Sequence, residues 1–280
     1  MSIQLQPFPY QGSKRNTAVQ IAKYFPKKIN RLIEPFAGSA AITLYAAYHR
    51  LAADFIINDS YKPIIDLWNK IIKEPEECYK EYNLFWKEQL VDPNSYYFDI
   101  RKKFNEDKDP VKFLYLLNRC AKNAVRFNSK GEFNQSPDKR RLGRNPDLLR
   151  KQLISTSLLL NKKVKLLNKD FDEVLNIATS ADLVYMDPPY QGTSGVKNPR
   201  YHQGLNFDRL MDSLKKLNKK KVPFLLSYDG KLGNYSYGKE VPKELGLKRI
   251  DIHAGRSAQA TLNGKSELTV ESLYISPYIK

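Results

Sequence analysis

The chain has 280 residues, room for two modest domains or one large domain with an insertion. A formal net charge of +17 is too large to scatter evenly, so a polyanionic partner, nucleic acid first, is expected, and 41% hydrophobic with 12% aromatic residues excludes a basic disordered tail. Cys78 and Cys120 with His49, His202 and His253 make neither a disulfide framework nor a zinc finger, so no metal is expected.

Met1-Ser2-Ile3-Gln4 lacks a basic stretch followed by an apolar one, and no 18 apolar residues run together. A soluble, cytoplasmic protein without a membrane span is the expectation. Ser13 to Tyr24 has helical spacing of Val19, Ile21, Ala22 and Tyr24 and stops before Pro26. Arg31 to Glu34 is a short strand ending at Pro35, Gly38-Ser39 opens a helix to about Arg50, and Asp54 to Ile57 is a second buried strand closed by Asn58-Asp59-Ser60. Two strands joined by such a helix predict a parallel βαβ unit.

From about Pro63 to Leu160 the pattern is polar, aromatic and helical with several proline breaks, and β alternation is confined to Arg126 to Asn134. Strands resume at Val164 to Leu167, Leu183 to Met186, Val222 to Ser227, Lys248 to Ile252 and Glu271 to Ile275, with a helix at Asp208 to Leu217. The expected fold class is an α/β sheet interrupted by a mainly helical insertion.

Asp187-Pro188-Pro189-Tyr190 follows the apolar strand directly. In open α/β sheets ligands bind beyond the carboxyl ends of strands. Two prolines remove two N–H donors and leave the Asp187 carboxylate and the Pro188 carbonyl as acceptors, which suits an exocyclic amine with two hydrogens to give. Gripping both hydrogens localises the nitrogen lone pair for attack, and Tyr190 adds a face on which an unstacked base rests. Glu34 to Ala41 places a carboxylate and small residues at a strand-to-helix turn, with neither G-x-G-x-x-G nor a phosphate-loop lysine, so a cofactor with a cationic or amino-acid portion fits better than a pyrophosphate. Asp59, about 25 residues on, stands where an acid accepts from ribose hydroxyls.

These motifs resemble those of the Dam-like, alpha-ordered (D12) class of S-adenosyl-L-methionine-dependent DNA N6-adenine methyltransferases, and the resemblance runs nearly end to end. Tyr10-Gln11-Gly12-Ser13-Lys14 is similar to the family's aromatic-x-Gly-Gly-Lys, with Ser13 in place of the second glycine. Glu34 to Ser39, including Phe36 and Gly38, resembles its cofactor loop, Asp59 its ribose-binding acid, Asn168 to Phe171 the segment whose aspartate, here Asp170, reaches the cofactor's adenine, and Asp187 to Tyr190 its catalytic motif. Glu267 to Ser276 resembles the closing strand. The resemblance implies a Rossmann-like methyltransferase sheet, formed by residues 1–62 and 162–280, with a target-recognition domain at 63–161.

Leu117 to Asn134 is similar to the family's target-recognition hairpin. Residues 120–151 carry nine Lys or Arg against three acids. Arg119, Asn123 and Arg126 are the expected base or near-base contacts, and Lys122, Lys130, Lys139, Arg140, Arg141 and Arg144 the further contacts to double-stranded DNA. Lys122 stands where some members place an aromatic residue, which leaves the recognition sequence open. The expected activity is adenine methylation, with a restriction endonuclease for the same site as a possible partner. Cytosine-N4 or RNA amino-methylation and an inactive DNA-binding protein are the alternatives. An oxidoreductase is disfavoured by the missing glycine fingerprint, and cytosine C5 chemistry by the absence of a Pro-Cys pair.

Overall fold

The computed structural model describes residues 5–189, 205–232, 235–237, 241–256 and 268–279. Tyr190 and Glu267 lie outside them.

The strands are β1 (Arg31–Glu34), β2 (Asp54–Asn58), β3 (Val164–Leu167), β4 (Asp182–Met186), β5 (Phe224–Leu232), β6 (Tyr235–Tyr237), β7 (Lys248–Arg256) and β8 (Leu268–Ile275). They form one sheet ordered β3-β2-β1-β4-β5-β8-β7, with β6 paired to β5. Pairings from β3 to β5 are parallel, and β8 is antiparallel to both neighbours. The helices are α1 (Ala18–Ala22), α2 (Ala41–Tyr48), α3 (Lys62–Lys73), α4 (Pro75–Glu88), α5 (Pro93–Asp107), α6 (Pro110–Arg119), α7 (Pro146–Leu160), α8 (Phe171–Asn176) and α9 (Phe207–Lys219).

Both faces of the sheet are covered, which is why its strands read as apolar runs rather than alternating ones. Leu32, Phe55, Leu183, Tyr185 and Leu225 face one core, whereas Ile33, Ile56, Val184, Met186 and Leu226 face the other, beneath α8 and α9. The first core continues unbroken into the helices of the insertion through Trp68, Phe104, Phe113 and Leu153. The proline breaks are helix starts. Asp92, Asp109 and Asn145 each precede a proline and accept two backbone N–H groups of the turn they open.

Three expectations change. Ser13 to Tyr24 is not one helix but a 3-10 turn at Lys14–Asn16 followed by α1, because Lys14 is turned into the protein. Arg126 to Asn134 is a short hairpin with a single bridge instead of regular strands: Phe127 pairs with Phe133, Asn128 N–H donates to the Glu132 carbonyl and Asn134 N–H to the Arg126 carbonyl, both rings are buried, and the Asn128 side chain closes the turn by accepting from Lys130 and Glu132. Helix α8, unmarked in the sequence reading, follows Asp170, whose side chain caps it.

Candidate active site

The strand order reverses between β1 and β4, so their carboxyl ends splay apart and open a crevice. Glu34 ends β1, and Asp187 follows β4. One pocket there is lined by Tyr10, Gly12, Lys14, Glu34, Phe36, Gly38, Asp59, Asp170, Asp187, Pro188 and Pro189. Every expected cofactor residue therefore reaches one cavity, although these positions span more than 170 residues of chain.

The pocket floor is fixed by backbone. Asn58, fully buried, accepts from Lys169 N–H and donates to the carbonyls of Pro35 and Lys169, tying the ends of β1, β2 and β3 together. Gly38 has φ +48°, and its N–H donates to Asp59 Oδ2 at 3.1 Å. A Cβ there would lie 2.9 Å from the Tyr10 ring, so only glycine lets the loop pass under that aromatic. Trp68 Nε1 donates to the Gly38 carbonyl at 2.9 Å from the opposite side. Ser13 has φ −56°, needs no glycine, and accepts a hydrogen bond from Ser39 Oγ at 3.0 Å, so its hydroxyl joins the segments at residues 10–14 and 34–39.

Four acids, Glu34, Asp59, Asp170 and Asp187, line the pocket beside Lys14, Lys169 and Arg209. Glu34 accepts from Thr43 N–H, and burial pushes its carboxyl up to about 8, with Thr43 opposing and Asp187 adding to the rise. Asp59 also accepts from Tyr61 N–H at 2.9 Å, and burial raises it to about 6 against these donors. Lys14, 6% exposed, donates to Asp187 Oδ2 at 2.5 Å and lies 3.8 Å from Glu271. Burial disfavours the Lys14 cation, yet the two carboxylates raise it above the ordinary lysine range. Asp170 pairs with both terminal nitrogens of Arg209, whose guanidinium rests 5.2 Å from the Phe171 ring, and Phe171 packs 5.2 Å from Phe36.

The donor set fits S-adenosylmethionine: buried acids for an ammonium and vicinal hydroxyls, an aromatic pair for a heterocycle, and a left-handed glycine allowing close approach. Arg209, Tyr61 and Phe127 also line the pocket, and Glu271 approaches it through Lys14; the sequence named none of the four as a site residue. Glu271 alone left a signal, an acid on the core-facing phase of an apolar strand.

The expected DNA residues divide sharply. Lys122 and Asn123 both have positive φ, with Lys122 exposed, and Lys130, Lys139 and Arg140 are exposed. Arg126 is half-buried, and Arg141 is tied to Asp138 at 2.6 Å. Arg119 turns inward. It is 2% exposed and donates to the carbonyls of Asp138, Arg141 and Pro93, so its guanidinium organises the loop. Arg144 likewise is half-buried and donates to the Gln6 carbonyl. Both sit where carbonyls left by irregular backbone need donors.

Among the described residues no cluster could hold a metal, and no helix is long and apolar enough to cross a membrane.

This sheet order with strand-end acids at the switch point fits an α/β methyltransferase fold. The model of the D12 class N6 adenine-specific DNA methyltransferases matches residues 10–256, and the chain belongs to that family. It is 27% identical over 279 residues to the type II methyltransferase M1.LlaDCHI of Lactococcus lactis, covering 94% of this chain and 93% of that protein. It is 29% identical over 262 residues to the DNA adenine methylase of Haemophilus influenzae, covering 88% and 86%. The type II methyltransferase M.MjaIII of Methanocaldococcus jannaschii is 27% identical over 250 residues, covering 80% and 84%. The chain is an adenine-specific DNA methyltransferase.

Proposed function

We propose that the methyl donor is S-adenosylmethionine and the acceptor the N6 amine of an adenine turned out of a short, specific duplex site. The observation that carries this reading is the meeting of Glu34, Lys14 and Asp187 in one pocket at the switch point. Glu34 would hold the cofactor's ammonium end, Asp59 its ribose hydroxyls and Asp170 its adenine, with Tyr10, Phe36, Gly38, Gly12 and Lys14 shaping the walls. When bound, the cofactor supplies a methyl group already activated on a sulfonium.

The chain's own residues make the amine reactive. An adenine amine is a poor nucleophile because its lone pair is delocalised into the ring. Asp187 and the Pro188 carbonyl accept its two hydrogens and favour a pyramidal nitrogen, Pro189 keeps a competing donor away, and Tyr190 stacks on the base. The nitrogen lone pair, localised in this way, would take up the methyl group that the cofactor supplies, leaving the cofactor as a neutral thioether. The nitrogen would then carry positive charge facing Asp187 until one proton passes to water.

Residues 63–161 act as the target-recognition domain, with Lys122, Asn123, Arg126, Lys130, Lys139, Arg140 and Arg141 toward DNA. The type II methyltransferases among the relatives support a restriction–modification role beside an endonuclease that reads the same site. The test is methylation of unmodified bacterial genomic DNA read by single-molecule sequencing, beside Asp187→Ala. N6-methyladenine in one short motif, absent with the variant, is expected. Cofactor binding without any mark on DNA would overturn the reading.

A further inference from the structure

We propose that Glu271 is a positioning residue for methyl transfer: from β8 it holds the Lys14 ammonium against Asp187, giving the acceptor carboxylate a net negative cluster behind it. The inference rests on the reading of Asp187 as the acceptor for the amine.

The strand itself marks the residue. Glu271, Leu273 and Ile275 share one phase of β8, and Leu273 and Ile275 are buried in the same core as Tyr185 and Leu225. An acid thus occupies a position that the pattern gives to an apolar side chain. Glu271 pairs with Gly230 on β5 and Ile252 on β7, directly beside the register shift between Ser227 and Gly230. Such irregularities re-aim side chains next to sites. Here the carboxylate comes 3.8 Å from Lys14 Nζ, while Lys14 stands 2.5 Å from Asp187. Burial also raises Glu271 above the ordinary carboxylate range, with Lys14 opposing. An acid kept in such surroundings is one with a partner to hold.

The charge count supplies the purpose. A Lys14–Asp187 pair alone is neutral, so the ammonium would cancel much of the carboxylate's pull on an amine turning positive. Glu271 returns the group of three to one net negative charge. That charge acts on the nitrogen more strongly as it becomes cationic than in the neutral ground state, so it lowers the barrier and leaves binding little changed. Glu271 does not line the pocket and acts through Lys14.

The test uses the full chain with Glu271→Gln, which keeps the volume and removes the charge, and Glu271→Asp, which keeps the charge. Single-turnover methylation of duplex DNA is measured beside sinefungin affinity by calorimetry and the melting temperature. In Glu271→Gln the rate is expected to fall at least about tenfold, with sinefungin affinity and KM for DNA within about twofold. Glu271→Asp should keep more of the rate at equal thermal stability. In a Lys14→Met background Glu271→Gln should cost little more, because the two residues act as one unit. An unchanged rate, a loss of sinefungin affinity in step with the rate, a Glu271→Asp rate no better than Glu271→Gln, or a full further loss in the Lys14→Met background would each overturn the proposal. Asp187→Ala methylating at the wild-type rate would overturn the underlying reading and this one with it, whereas an inactive Asp187→Ala beside a fully active Glu271→Gln overturns this one alone.

Discussion

The pocket and the insertion treat charge in opposite ways. In the pocket, Glu34, Asp59 and Asp170 are each anchored by backbone N–H groups, so these acids are locked in place before any ligand arrives. In the insertion, Arg119 and Arg144 turn inward to carbonyls, whereas Lys122, Lys130, Lys139 and Arg140 stay exposed. A carboxylate at a strand end is placed by its strand, so its motif can be read locally. An arginine has a stem long enough to reach many partners, and its neighbours in sequence do not decide which.

Removing Asp187 is the sharpest way to break the pocket's side of this contrast: Asp187→Ala should lower the methylation rate by about 10³-fold or more, with sinefungin binding retained in calorimetry. Next comes Arg119→Ala. It orphans three carbonyls and should cost about 3 kcal/mol in urea unfolding, an arginine that stabilises rather than reads. Gly38→Ala should cost about 1–2 kcal/mol from its left-handed backbone alone, read by thermal melts, and more as its Cβ meets Tyr10.

The pocket acids also predict a pH dependence. Glu34 at about 8 and Asp59 at about 6 hold their protons longer in the folded than in the unfolded chain. Their contribution therefore favours the folded state below the unfolded values, and is lost as pH rises through about 6 for Asp59 and about 8 for Glu34. The melting temperature of the ligand-free protein should fall from about pH 4.5 to about pH 8 and level off above that, and Glu34→Gln should flatten the fall. The smallest effect is Arg140→Ala, which should leave thermal stability unchanged and reduce the salt slope of DNA binding by about one unit. An Arg140→Ala chain that melts early, or an Arg119→Ala chain that is stable yet loses DNA, would reverse the contrast.

Most strands were legible because buried parallel strands are short apolar runs flanked by breakers, as at Arg31 to Glu34 and Leu183 to Met186. Asp187 and Glu34 were legible for the same reason, each being fixed by the strand it ends. Helix α8 is short and carries its signal in the Asp170 cap, an acid read instead as a ligand contact. The hairpin's two arms are joined by one bridge and two flanking backbone hydrogen bonds, and Phe127 and Phe133 carry their rings into the aromatic core with Phe104, Phe113 and Tyr61.

By itself the sequence determined the sheet's strands, the acids at their ends and the reaction class, because backbone propensity and strand-end placement act over a few residues. Only the tertiary structure decided that Lys14 stands between Asp187 and Glu271, that Asp170 meets Arg209, and which arginines face inward. Those pairings join positions far apart in the chain. They depend on how strands order across the sheet and on which carbonyls the irregular backbone leaves unpaired, and neither is a property of a local segment.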